Sequence, residues 1–77
     1  MAGVAKEDAL KQKAIQYLKS HYGEDTVSMA IRNNGVTDGN GVFHVDCTVS
    51  VGGERSNWTK WFTFKDGEVA NMRWQMR

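Results

Sequence analysis

At Gly23 the spacing of apolar residues changes from three and four to two, and that change dictates what the chain can fold into. Before it, Leu10, Ala14, Tyr17, Leu18 and His21 or Tyr22 fall on one stripe of a helix expected over residues 4–22. Glu7 and Asp8 stand in its first turns and Lys19 and His21 in its last, as the helix dipole favours. Gly23 supplies the left-handed stop. After it, side chains alternate. Val27, Met29 and Ile31 alternate with Thr26, Ser28, Ala30 and Arg32. Phe43, Val45, Cys47, Val49 and Val51 alternate with His44, Asp46, Thr48 and Ser50. Trp58, Phe62 and Phe64 alternate with Thr59, Trp61, Thr63 and Lys65, and Ala70, Met72, Trp74 and Met76 with Asn71, Arg73, Gln75 and Arg77. Each run reads as a half-buried strand with one apolar and one polar face. The third breaks pattern, with Lys60 inside and Trp61 outside.

Turn signals separate the runs. Gly52-Gly53-Glu54-Arg55-Ser56 closes the middle hairpin and Lys65-Asp66-Gly67 the last. For the last hairpin, a two-residue Asp66-Gly67 turn pairs Phe64 with Val69 and Phe62 with Asn71, which mixes the faces. A three-residue Lys65-Asp66-Gly67 loop, with Gly67 left-handed in a bulge, pairs Phe62 with Ala70 and Trp58 with Trp74. Because a slip of one residue flips every side chain, the three-residue loop is expected. Residues 33–41 read in two ways: a polar loop, or a first strand that continues through Val36-Thr37 after a bulge at Asn34-Gly35.

These elements make one α+β domain spanning residues 1–77, an N-terminal helix packed on one face of a four-stranded antiparallel meander with the other face open. The expected core is Leu10, Ala14, Tyr17 and Leu18 against Val27, Met29, Ile31, Phe43, Val45, Cys47, Val49, Phe62, Phe64, Met72 and Trp74. As an architecture this is similar to the cystatin-type rolls. Inhibitory cystatins carry a Gln-x-Val-x-Gly hairpin and a Pro-Trp hairpin; this sequence has neither, so their protease inhibition does not carry over.

A 77-residue chain buries only about 60% of the surface that its unfolded form exposes. One cysteine gives no internal disulfide, and Cys47 with two histidines falls short of a four-ligand structural zinc site. Self-association remains as a route to added stability. A formal net charge of +1 argues against a dedicated duplex-DNA binder. The opening run MAGVAKEDALKQK has no apolar h-region, and no apolar run approaches the ~20 residues needed to cross a bilayer. A reduced cytoplasmic setting without membrane partners is therefore expected. Asn57-Trp58-Thr59 has the pattern of a glycosylation acceptor, which matters only in a eukaryotic secretory setting.

Little in the chain carries chemistry. His44 is three residues from Cys47 and so on the opposite face, which leaves the thiol without a base and reads as a small buried side chain. His44 and Asp46 share a face, their Cβ atoms ~6.5–7 Å apart, with no serine or cysteine placed to be activated. The glycine-rich stretch 35–41 lacks the Gly-x-x-x-x-Gly-Lys-Ser/Thr phosphate loop. Lys6, Lys11, Lys13 and Lys19 point in several directions around the helix, and Trp58, Trp74, Met72 and Met76 fall on the core side. No catalytic, metal or cofactor residues are assigned, and a non-enzymatic domain is expected.

One surface stands out. Trp61 falls on the polar face with Asn71 expected opposite and Arg73 on a diagonal. Arg32, Lys65, Arg73 and Arg77 share that face with Asp46, four positive side chains against one negative. Trp61, Arg73, Lys65, His44, Asn71 and Arg32 are the candidate binding residues, for a protein partner or a second copy in a homodimer. Three other readings stay open. Trp61 shields its neighbours and stacks on Arg73 as a cation–π pair; a single-stranded nucleic acid stacks a base on it; or a hydrophobic small ligand sits between helix and sheet.

Overall fold

The computed structural model describes residues 2–77, with the side chains of residues 2–6, Lys6 among them, outside the description. The described residues form helix α1 (Ala2–Tyr22) and strands β1 (Asp25–Asn34), β2 (Gly41–Val51), β3 (Glu54–Lys65) and β4 (Glu68–Met76). The strands lie in the order β1-β2-β3-β4, each antiparallel to its neighbour, so the α+β meander is the fold. The helix starts two residues before the expected boundary, which leaves no acidic residue in its first turn. It stops where expected. Gly23 takes a φ of +67°, its N–H donates to the Lys19 carbonyl at 3.0 Å, and the Glu24 N–H donates to the Leu18 carbonyl at 3.2 Å.

Each hairpin closes on two residues with positive φ: Asp38-Gly39, Gly52-Gly53 and Asp66-Gly67. The flanking pairs are Thr37 with Asn40, Val51 with Glu54 and Lys65 with Glu68. Two left-handed residues in succession make a type I′ turn, whose twist matches that of paired strands. The middle turn is thus shorter than the expected Gly52-to-Ser56 loop. The first connection follows the strand-extension reading in part: β1 ends at Asn34, but pairing in the same register carries on to Thr37 with Asn40, and the expected bulge at Asn34-Gly35 lies instead at Arg32. Gly35 N–H donates to the Val42 carbonyl at 2.9 Å, and Asn34 Oδ1 accepts from Val36 N–H at 3.0 Å. The first and third turns meet at one end of the sheet, where Gly67 N–H donates to the Gly39 carbonyl at 3.0 Å. A Cβ on Gly39 would stand 2.6 Å from the Gly67 nitrogen, so that contact requires glycine.

The last hairpin corrects the three-residue loop. Phe64 does pair with Val69 across the Asp66-Gly67 turn, and a bulge then leaves Ala70 without a partner. The extra residue restores the faces: Phe62 meets Met72, Lys60 meets Trp74 and Trp58 meets Met76. Two further bulges reset β1. One, between Thr26 and Ser28, turns Val27 outward to 45% exposure and puts Thr26 opposite Val49. The other, between Ile31 and Asn33, puts Asn34 opposite Phe43.

Ala14 and Leu18 of the helix bury against Phe43, Val45, Cys47, Val49, Phe62, Phe64 and Met72, with Leu10, Tyr17, Met29, Ile31 and Trp58 packed around them. Most of the expected core is there. Val27 and Trp74 are not: Trp74 is 55% exposed, with Tyr22 at the end of the helix set edge-on to its ring. Met76 and Val51 are exposed as well.

Lys60 lies inside this face at 2% exposure. Its Nζ donates to Glu24 Oε1 at 2.9 Å and sits 5.2 Å from the Trp58 ring centroid and 5.7 Å from that of Tyr22. A carboxylate and two aromatic faces thereby compensate an ammonium taken out of water. Glu24→Ala should cost ~3–5 kcal/mol in urea unfolding, because it strands a buried charge, whereas replacing both partners at once, Lys60→Met with Glu24→Leu, should be neutral or stabilising. A neutral Glu24→Ala would show that Lys60 reaches water.

Candidate functional site

The face of the sheet away from the helix is uncovered among the described residues. Alternation along β2 and β3, and along β4 beyond its bulge at Ala70, brings His44, Trp61 and Arg73 into one row across it, since His44 pairs with Trp61 and Trp61 with Arg73. The imidazole stacks on the indole with ring centroids 4.8 Å apart and planes 15° apart. The Arg73 guanidinium carbon lies 5.7 Å from the Trp61 ring centroid. Because β2 and β4 flank β3, the two groups approach the indole from either side. Trp61 is therefore half-buried instead of standing in water, and Arg73 is directly opposite it rather than diagonal.

The other candidate residues are more dispersed. Asn71 pairs with Thr63, one step along the strands from the Trp61 row. Lys65 lies four residues from Trp61 along β3, beside the turn, exposed and opposite Glu68. Arg32 is the extra residue of the second β1 bulge, and its Nη1 donates to Asp46 Oδ2 at 2.6 Å. Thr59 Oγ1 donates to the other carboxylate oxygen at 2.7 Å. Arg77 folds back to donate from Nε to the Trp58 carbonyl at 3.2 Å. The single negative charge of this face, Asp46, is thus taken up by Arg32.

Two features of this face were not drawn from the sequence. His44 Nε2 is buried without a hydrogen-bond partner, and an unpaired buried polar atom costs ~1–3 kcal/mol. The alternation marked His44 as outward, but only the cross-strand register reveals the stack that buries it. Thr48 Oγ1 also donates to Asn57 Oδ1 at 2.7 Å, a cross-strand link that ties β2 to β3.

Elsewhere, Cys47 is 1% exposed, and burial raises its thiol pKa, as a structural cysteine requires. A cleft of about 600 Å³ opens between the helix and the meeting turns, lined by Leu10, Lys13, Val36, Thr37 and Asp38 among others. Among the described residues there is no cluster of three or more His, Cys, Asp or Glu able to hold a metal ion, and no helix long and apolar enough to cross a membrane. Comparison with protein-family models, with curated proteins and with solved structures finds no match.

The Thr59 hydroxyl, followed by Arg32, holds the Asp46 carboxyl below the usual aspartate range. A lowered native pKa contributes stability that is present above about pH 4 and lost as pH falls through the native value. Asp46→Asn should therefore remove part of the acid-side loss: melting temperatures followed from about pH 5 down to pH 2 should fall less steeply than in the wild type.

Proposed function

We propose that this domain is a non-enzymatic protein-binding module whose working surface is the open sheet face centred on His44, Trp61 and Arg73. The observation that carries this reading is the stack itself. Tryptophan and arginine dominate interface energetics, and a side chain already fixed in one orientation loses little entropy when it is covered. The cost of leaving His44 Nε2 unpaired brings the fold no hydrogen bond in return, which fits a residue kept for a surface role. Lys65 and Arg73 have no carboxylate partner among the described residues, so a partner surface with acidic groups around a planar or apolar contact suits this face.

The stack also weighs against single-stranded nucleic acid. Base stacking needs an open aromatic face, and His44 and Arg73 occupy the indole from both sides. A protein contact along the exposed ring edge displaces nothing.

Trp61→Ala is the direct test. It should cost only about 1 kcal/mol of stability, the scale of a stacked pair, because the core on the other face is untouched. Affinity for a partner isolated on the wild-type domain should fall by at least ~2 kcal/mol in calorimetric titration. Wild-type binding should survive ~0.5 M salt, which a phosphate-dominated contact would not. Unchanged affinity together with a core-sized loss of stability would make Trp61 purely structural.

A further inference from the structure

We propose that β4 pairs edge to edge with β4 of a second copy of this chain, about a two-fold axis through Trp74, joining two meanders into one eight-stranded sheet. This is a different surface from the open face, and it rests on three observations about the two ends of the sheet.

The first is which backbone groups are free. Arg77 N–H donates to the Asn57 carbonyl at 3.0 Å, so Asn57 and Arg77 form a hydrogen-bonded pair of the β3–β4 ladder. Alternation then aims the N–H and C=O groups of Arg73 and Gln75 at β3, and those of Met72, Trp74 and Met76 at the free edge. The same three residues carry the inward-facing side chains of β4. Trp74 and Met76 are 55% and 62% exposed, with Tyr22 set edge-on to Trp74 at 6.2 Å between ring centroids. The free hydrogen-bonding groups and the uncovered apolar side chains therefore belong to the same residues.

The second is that the sheet's opposite edge is blocked. β1 carries bulges at Val27 and Arg32, and bulges are a common way to prevent edge pairing. The single β4 bulge is at Ala70, which leaves the stretch 72–76 regular. Arg73, the one charge within that stretch, is folded against Trp61.

The third is that one register suits two identical copies. Antiparallel pairing of a strand with itself keeps both apolar faces on one side only if the axis passes through a residue. Centred on Arg73 it would set that arginine against itself, and centred on Gln75 it would set Arg73 against Arg77. Centred on Trp74 it sets Trp74 against Trp74, Met72 against Met76, Arg73 against Gln75 and Asn71 against Arg77, with no like charges opposed. All three edge-facing residues then find hydrogen-bonded partners.

Sedimentation equilibrium over a range of concentrations tests this, on the wild type, Trp74→Lys and Trp61→Ala, with circular-dichroism melts as the fold control. The wild type should approach twice the 8.7 kDa chain mass. Trp74→Lys should stay folded and raise the dimer dissociation constant at least ~30-fold, while Trp61→Ala should dimerise like the wild type. In a register check, Trp74→Cys should oxidise to a covalent dimer, since paired Cα atoms ~5.5 Å apart suit a disulfide, and Gln75→Cys should not. A wild type of 8.7 kDa at every concentration overturns the proposal. So does a dimer that survives Trp74→Lys or is lost in Trp61→Ala alone. If Trp74→Lys does not fold, absence of the Trp74→Cys dimer is the result that overturns it. Partner binding lost in Trp61→Ala with the dimer intact separates this surface from the open face.

Discussion

Type I′ turns at Asp38-Gly39, Gly52-Gly53 and Asp66-Gly67 hold the three hairpins in register, and the face each side chain takes follows from that register. Turns this tight leave no slack, so the alternation they impose conflicts locally with the hydrophobic pattern. Bulges at Val27, Arg32 and Ala70 resolve the conflict by absorbing one residue each. In β4 the absorbed residue carries Met72 back beneath Phe62 and sets Arg73 opposite Trp61. Without it Phe62 would face Asn71, and the core and the stack would both be lost.

Register also decides how the buried lysine is tolerated. Lys60 faces inward because strict alternation on β3 requires it, two residues from Phe62 on one side and from Trp58 on the other. Glu24, delivered by the helix stop at Gly23, reaches it from the opposite layer. On the middle strands the inner face is sealed along its length, from Phe43, Phe62 and Phe64 through Val45 to Cys47 and Val49, while on β4 Trp74 and Met76 lie open. A domain this small has one helix to cover four long strands, and the uncovered remainder falls on an edge strand.

Much of this was legible from residue spacing. The helix, its glycine stop, four strands in meander order, the inward Lys60 and the outward Trp61 and His44 all follow from periods of 3.6 and 2. The bulges were not, because a bulge leaves no residue signature when the absorbed side chain is as plain as Ala70 or Val27. A two-residue Asp66-Gly67 turn mixes the faces only in a ladder without a bulge at Ala70, and without that bulge Arg73 falls on a diagonal to Trp61 instead of directly opposite it. Trp74 has the inward face that alternation gives it in either register; its exposure is a matter of cover. The stack of His44, Trp61 and Arg73 depends on two registers at once, which no single strand's pattern specifies.

Both surfaces put forward for recognition inherit their geometry from the β3–β4 register. The bulge at Ala70 brings Arg73 against Trp61 on the open face, and the ladder beyond it aims the free backbone groups of Met72, Trp74 and Met76 at the edge. That register is measurable without any partner. Cross-strand Hα–Hα contacts are strong only for non-hydrogen-bonded pairs, whose Cα atoms are ~4.5 Å apart. Nuclear Overhauser spectra should therefore link Phe62 with Met72 and Lys60 with Trp74. Links from Phe62 to Ala70 and from Lys60 to Met72 instead would mean a three-residue turn with no bulge at Ala70, and would contradict the placement of Arg73 opposite Trp61 on which the open-face stack depends.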